Sequence, residues 1–192
     1  MNTQIQETES ISRDDVAALR RERDEPQWMQ DARWEAWERF AARTDLPGWE
    51  KARLDGLVPE QFAPVSGAFK ERRDDAPALL RRGLDEGVLS GFAARSNGCS
   101  LETAADPALV RDGLIVTDLA DALQRFPDAV RDALFATGVG DGFGRLRDLH
   151  AALLQGGTFV SVPAGMELDR PIQIVVNFDE AGRALFDHNL VV

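Results

Sequence analysis

One cysteine, Cys99, and two histidines, His150 and His188, are all that this 192-residue sequence holds of the softer metal ligands. A single cysteine excludes an internal disulfide framework. Three such residues, scattered through the chain, leave no metal site of the usual Cys/His spacing. No apolar run approaches the ~18–20 residues that a membrane helix requires. The polar, acidic opening from Met1 to Asp15 lacks the basic start and apolar stretch of a secretory signal, so the default address is cytosolic. Positive charge is scarce as well: 22 Lys and Arg against 33 Asp and Glu give a formal charge of −11. That balance argues against electrostatic binding to nucleic acid or to an anionic membrane. Lys51 and Lys70 are the only lysines. The acidic, arginine-biased composition fits a GC-rich genome or a salt-adapted cytosol, and concerns solubility more than a binding site.

What is present suffices for a core. Hydrophobic residues make up 44%, enough for one ordinary domain or one and a fraction. After a tail of about a dozen residues, Ser12 can cap a short helix with Asp14 and Asp15 in its first turn. Pro26 suits the start of a second helix running to about Thr44, before the turn Asp45-Leu46-Pro47-Gly48. Trp28, Met29, Ala32, Ala36, Trp37 and Phe40 fall in one helical stripe, and an amphipathic helix packed on its own domain is the simpler reading; the sharper alternative makes Trp34, which points elsewhere, a partner-docking aromatic. Trp49 to Pro64 is irregular. Lys70 to Arg82 reads as a loop or solvated helix, Leu84 to Ala94 as a strand, and Ser96-Asn97-Gly98 as a turn.

A regular pattern returns at Gly113. Leu114-Ile115-Val116 predicts a strand, with Thr117 capping a helix that buries Leu119, Ala122, Leu123 and Phe126. Pro127 starts another helix, carrying Ala129, Val130, Ala133 and Leu134. The glycine-rich turn Gly138 to Gly144 leads into a third, with Phe143, Leu146, Leu149, His150 and Leu153 on one side, ended by Gly156-Gly157. The period then changes to that of strands: Thr158–Val162, Ile172–Val176 and Ala184–Val192, separated by Pro/Gly turns. Three short strands with tight turns suggest a barrel, a sandwich or a stacked β-solenoid. The apolar end Leu190-Val191-Val192 reads as a cut inside a β-rich domain. Such a piece is expected to leave an unpaired strand edge and to aggregate or swap strands.

Few residues invite chemistry. Cys99 could accept sulfur or ligate a cluster as a thiolate, but no second ligand or base adjoins it in sequence, and an incidental cysteine is the simpler reading. His150, on an apolar helix face, reads as a hydrogen-bonded, partly buried imidazole. His188, between Asp187 and Asn189, would face a site only with functional neighbours from beyond Val192. The run Gly138 to Gly144 follows a helix, lacks the dinucleotide spacing and lacks a following Lys-Ser/Thr, so it is no nucleotide loop. Its single Asp141 is too little for calcium.

Three segments carry a resemblance. Gly156 to Leu168 (GGTFVSVPAGMEL), followed by Pro171-Ile172-Gln173, resembles the entry to the β-helix of the SufB/SufD family of iron–sulfur cluster assembly scaffolds. Gly113 to Leu119 with Arg125-Phe126-Pro127 is similar to that family's strand–helix approach. Asp24 to Met29 (DEPQWM), with Arg33 and Phe40, is similar to its first helix. The three cover about half the chain, and Trp49 to Asp112 matches poorly. Glu167–Pro171 followed by Ile174–Asn177 lacks the aromatic-Arg-Ile-Asn element of B-type chains, so the D paralogue is nearer.

The resemblance implies an α+β chain: a helical N-terminal region (1–111), a strand–helix–helix connector (112–156) and the first strands of a right-handed parallel β-helix (157–192). It implies a cytoplasmic, non-catalytic scaffold subunit that pairs with a paralogous SufB/SufD-type β-helix subunit and an ABC-type ATPase of the SufC kind. A transient iron–sulfur cluster would be held by the full complex and none by this segment. The family's cluster-holding side chains lie beyond Val192 in order, so no catalytic, cofactor-binding or metal residue is assigned. The rival reading is a small-molecule enzyme or binding protein of cupin or jelly-roll type, with strands enclosing a pocket.

Overall fold

Ser12 opens the first helix by sharing one carboxylate twice: Asp15 accepts from the Ser12 N–H at 2.7 Å and from its hydroxyl at 2.9 Å. A helix start needs such partners for its unpaired donors. This is α1 (Arg13–Glu22) in a computed structural model that describes residues 10–46, 54, 56–65, 76–134 and 143–192. The expected tail before residue 10, Pro47 and Gly48 of the first turn, Lys70 and most of the Gly138–Gly144 run with Asp141 lie outside the described residues.

Pro26 stands just ahead of α2 (Gln27–Ala42), which buries Met29, Arg33, Ala36 and Phe40. Of the expected stripe Met29, Ala36 and Phe40 are buried and Trp28, Ala32 and Trp37 half-buried, and Arg33 joins it. The simpler reading holds at Trp34, which is partly buried against the cluster formed by Ile11, Val16, Ala36, Phe40 and Leu149. The Arg13 guanidinium lies 4.3 Å over its ring. The other face of α2 is already occupied by α1.

The middle of the chain holds more regular structure than its composition suggests. A short 3-10 turn (Pro59–Gln61) leads into β1 (Ala63–Pro64). Helix α3 (Ala76–Asp85) takes in Leu84, so the strand expected from Leu84 begins only at Gly91. Residues Gly91–Ser96 form β2, and Cys99–Ala105 form β3, a strand the sequence reading missed. The turn between them is as expected, with Asn97 at φ 47° and Gly98 at φ 82°, the left-handed pair that tight hairpins use. A one-turn helix, α4 (Pro107–Arg111), follows, then β4 (Ile115–Asp118). The cap of α5 (Leu119–Arg125) is Asp118, not Thr117: its side chain accepts from the Ala120 N–H. Helices α6 (Pro127–Ala133) and α7 (Gly144–Leu153) come next. Phe143, assigned to the buried side of α7, is 39% exposed, and Asp148 is buried in its stead.

From Thr158 the chain travels through three sheets in turn. Strand β5 (Thr158–Ser161) joins β4 and β8, β6 (Ile172–Asn177) joins β2, and β7 (Arg183–Ala184) joins β1. Strand β8 (Leu190–Val191) then returns to lie parallel to β5, with Phe159 opposite Leu190. The circuit takes 31 residues, the separation at which Asn189 accepts from the Thr158 N–H. Strands β6 and β7 are likewise parallel to β2 and β1, whereas β3 and β4 run antiparallel to their neighbours. The stretch expected as one strand, Ala184–Val192, is thus two short ones. Among the described residues the fold is mixed α/β, with seven α-helices and three small open sheets.

Three apolar clusters bind these parts. Met29, Leu119, Leu123, Val130, Phe159 and Leu190 join α2, α5 and α6 to the β5 sheet. The second cluster joins α1, α2 and α7, and the third sets Leu80 and Leu89 on Phe92 and Ala94. Gly156-Gly157 was expected to end α7, yet that helix stops at Leu153. The glycines serve close approach instead: a Cβ at Gly157 would overlap the His188 carbonyl oxygen, and one at Gly156 the Arg95 guanidinium. Gly157→Ala should therefore destabilise the chain by about 3 kcal/mol, the cost of overpacking against fixed backbone. A urea melt within about 0.5 kcal/mol of the parent would refute this tight fit.

Candidate functional site

The polar groups that fold inward gather where the helices meet the circuit of strands. Arg33 and Arg95, each 1% exposed, are the largest fully buried side chains. Arg33 forks onto Glu25, at 2.7 Å from Nε and 2.6 Å from Nη2. Its remaining donors reach the carbonyls of Ala152 (3.1 Å) and Leu154 (2.7 Å), acceptors that a helix C-terminus leaves unpaired. Arg95 donates to Asp187 (2.9 Å), to the carbonyls of Gly157 (2.8 Å) and Gly98 (2.9 Å), and to Asp118, the cap of α5. Each guanidinium ties together segments far apart in sequence. Arginine suits this because its planar fork serves several acceptors without losing its charge.

Beside this seam the fold brings together the two histidines, one from α7 and one just ahead of β8. His150 Nε2 lies 3.2 Å from His188 Nδ1. Burial, then the neighbouring His188, pushes the His150 imidazole down to about 4. Burial also lowers His188, with Asp187 opposing. Both rings are consequently neutral at pH 7. The expectation that the neighbours of His188 lie beyond Val192 is corrected: its neighbour is His150, half-buried as its apolar helix face predicts.

A pH dependence follows. Between about pH 6.5 and pH 4 the unfolded chain takes up a proton at His150 that the folded chain refuses, so stability falls on acidification. The loss should be about 2 kcal/mol by pH 5. His150→Gln should flatten that part of the profile in denaturant melts at pH 7 and pH 5. An unchanged slope in the variant would show that His150 is not the group responsible.

Two clefts flank the seam. One, of about 330 Å³, is lined by Arg23, Asp24, Glu25, Ala120, Asp121 and Gln124. Burial, and next the Arg33 cation, lower the Arg23 pKa there. The other, of about 230 Å³ between α2 and α7, is lined by Ala32, Glu35, Arg39, Arg147, Asp148 and Ala151. Cys99 sits apart, half-buried at the start of β3 opposite Ser96. Among the described residues no group of three or more His, Cys, Asp and Glu side chains is placed to hold a metal ion. No described helix is long and apolar enough to cross a membrane.

No family model matches the chain. Curated proteins do. Iron–sulfur cluster assembly protein SufD of Bacillus subtilis is 26% identical over 95% of the chain and 42% of its own length. An iron–sulfur cluster assembly SufBD family protein of Staphylococcus epidermidis is 25% identical over 92% of the chain and 40% of its own length. One from Pyrococcus horikoshii is 22% identical over 98% and 44%. The chain is a homologue of these SufBD family proteins. It spans about two fifths of the length of the relatives just named.

For this SufBD homologue, the sequence reading quoted Arg33 and Glu25 within a motif but assigned them no role. It named Asp118 and Asp187 only as neighbours of other residues and did not single out Arg95. A signal existed for Arg33, which falls on the buried stripe four residues after Met29 and three before Ala36. Arg95 closes a run of buried residues, Phe92, Ala93 and Ala94, but its partners lie in other elements and no local pattern announces them.

Proposed function

We propose that the chain contributes to iron–sulfur cluster assembly as part of a non-catalytic scaffold subunit, working in the cytoplasm. It would pair with a paralogous SufB/SufD-type subunit and be served by an ABC-type ATPase of the SufC kind. The transient cluster is the cargo of that complex, not a cofactor of this segment. The observation that carries the reading is a SufD relative aligned along 95% of the chain. The strand circuit supports it: a path through three sheets that returns in parallel register after 31 residues is what one coil of a β-helix requires. In this reading residues 157–192 form that coil, β1 and β2 extend its sheets, the antiparallel β3 and β4 close one end of it, and α1, α2, α5, α6 and α7 form the helical cover. Strands β6, β7 and β8 are each last in their sheets, so their outer edges suit pairing with further strands or with a sister subunit.

The cupin or jelly-roll alternative gains little support. It needs strands enclosing a cavity, whereas the described sheets are open and the two clefts above are lined from helices and the segments joining them.

Affinity capture of the intact gene product from its native cytosol, followed by mass spectrometry, tests the proposal. Co-recovery of an ABC-type ATPase together with a second β-helix protein is the expected result. Capture of neither, with a bound metabolite in their place, would overturn it.

A further inference from the structure

We propose that His150 and His188 together bind one divalent first-row metal ion, leaving its other coordination positions open to water or to an incoming ligand. The argument begins with distance. Two imidazole nitrogens, each about 2.0–2.1 Å from a tetrahedral zinc ion, lie about 3.3–3.4 Å from one another. His150 Nε2 and His188 Nδ1 stand 3.2 Å apart, with ring centroids 5.4 Å apart and planes inclined at 43°. A metal ion can enter this pair with a movement of a few tenths of an ångström.

The second strand of the argument is preorganisation. His188 donates its backbone N–H to the Gly156 carbonyl at 2.8 Å, and a parallel bridge joins Gly156 to Asp187. His150 sits on α7, whose end is gripped by Arg33 through Ala152 and Leu154. Both ligands therefore hang from fixed backbone, which lowers the cost of assembling a site. Phe186 covers one side, its ring centroid 6.4 Å from that of His150.

Charge and protonation agree. Metal ligation needs neutral imidazole, and both rings resist protonation. Asp187, adjacent to His188, is held by Arg95 through Oδ1, while its buried Oδ2 has no hydrogen-bond partner among the described residues. Asp187 adds negative potential at His188, and the Arg33 cation opposes it at His150. Without metal, the pair shares one N–H···N hydrogen bond. With metal, a tautomer change moves that proton to the ring's other nitrogen, so binding needs no net proton release. Two protein ligands make an open site, of the kind that exchanges or presents a metal ion rather than one that holds a fold together. The inference does not rest on the assembly reading above.

The test is Zn²⁺ titration of the untagged chain against a chromophoric chelator, with Co²⁺ absorption to report tetrahedral nitrogen ligation. One Zn²⁺ per chain is expected at neutral pH. His150→Gln and His188→Gln should each weaken binding about tenfold or more, and Cys99→Ser should not. Imidazole ¹⁵N shifts of the unmutated chain supply a readout independent of variant folding: Zn²⁺ should move both histidines together. Failure to bind stoichiometrically, binding that both histidine variants retain, or binding lost only with Cys99 would each overturn the proposal.

Discussion

Replacing Arg95 with methionine is expected to cost about 3–5 kcal/mol, the usual penalty for leaving a buried charge without its partner. For a chain of this size that is a fall in Tm of roughly 10 °C. Methionine keeps the volume but removes the cation between Asp187 and Asp118, whose side chains are 9% and 23% exposed. It also strips a donor from the Gly98 and Gly157 carbonyls. Asp187→Asn in the same chain should recover part of the loss, because a neutral amide is cheaper to bury than an unpaired carboxylate. Denaturant melts of the four chains give the coupling directly. A loss under about 1 kcal/mol, or no recovery in the double variant, would mean that the arginine is solvated rather than structural.

The second large effect is expected at Arg33. Arg33→Met should cost a similar 3–5 kcal/mol, since Glu25, with a side chain 5% exposed, then loses the guanidinium forked onto its carboxylate. Here a control separates charge from shape. Arg33→Lys keeps the charge yet cannot serve both carboxylate oxygens and two carbonyls at once, so it should still lose about 2 kcal/mol. If lysine is tolerated as well as arginine, the fork onto Glu25, Ala152 and Leu154 is not what stabilises the end of α7. Pairing Arg33→Met with Glu25→Gln should be milder than Arg33→Met alone.

Much of the local structure was legible in the sequence, and the reasons are local. Ser12 with Asp15, Asn97-Gly98, and the alternation from Thr158 each encode an element within a few residues, and each was found where it was read. The stripe of α2 was legible for the same reason. Errors arose where a distant segment decides the outcome. The partner-docking alternative for Trp34 fails because α1 turns back over it, which no periodicity in α2 can reveal. Leu84 reads as strand by its neighbours but completes a helix whose buried residue, Leu80, packs on β2. Gly156-Gly157 resembles a helix stop, yet its requirement comes from Arg95 and His188, residues far away along the chain. The buried seam was the least legible part. Arg95 and Asp187 are 92 positions apart, and His150 and His188 are 38 apart. Nothing in either local context marks them as a pair.

The reach of Arg95 also sets an order of events during synthesis. Its acceptors become available in sequence: first Gly98 in its own hairpin, then Asp118, then Gly157 at 62 residues downstream, and last Asp187 at 92. At about 5–20 residues per second on the ribosome, strand β2 waits several seconds for the carboxylate that completes its neutralisation. For most of that interval β2 also lacks β6, its parallel neighbour. The nascent chain therefore carries a half-satisfied cation beside an open strand edge until the circuit closes. Slowing translation between residues 118 and 187 would prolong this vulnerable state without altering the finished structure.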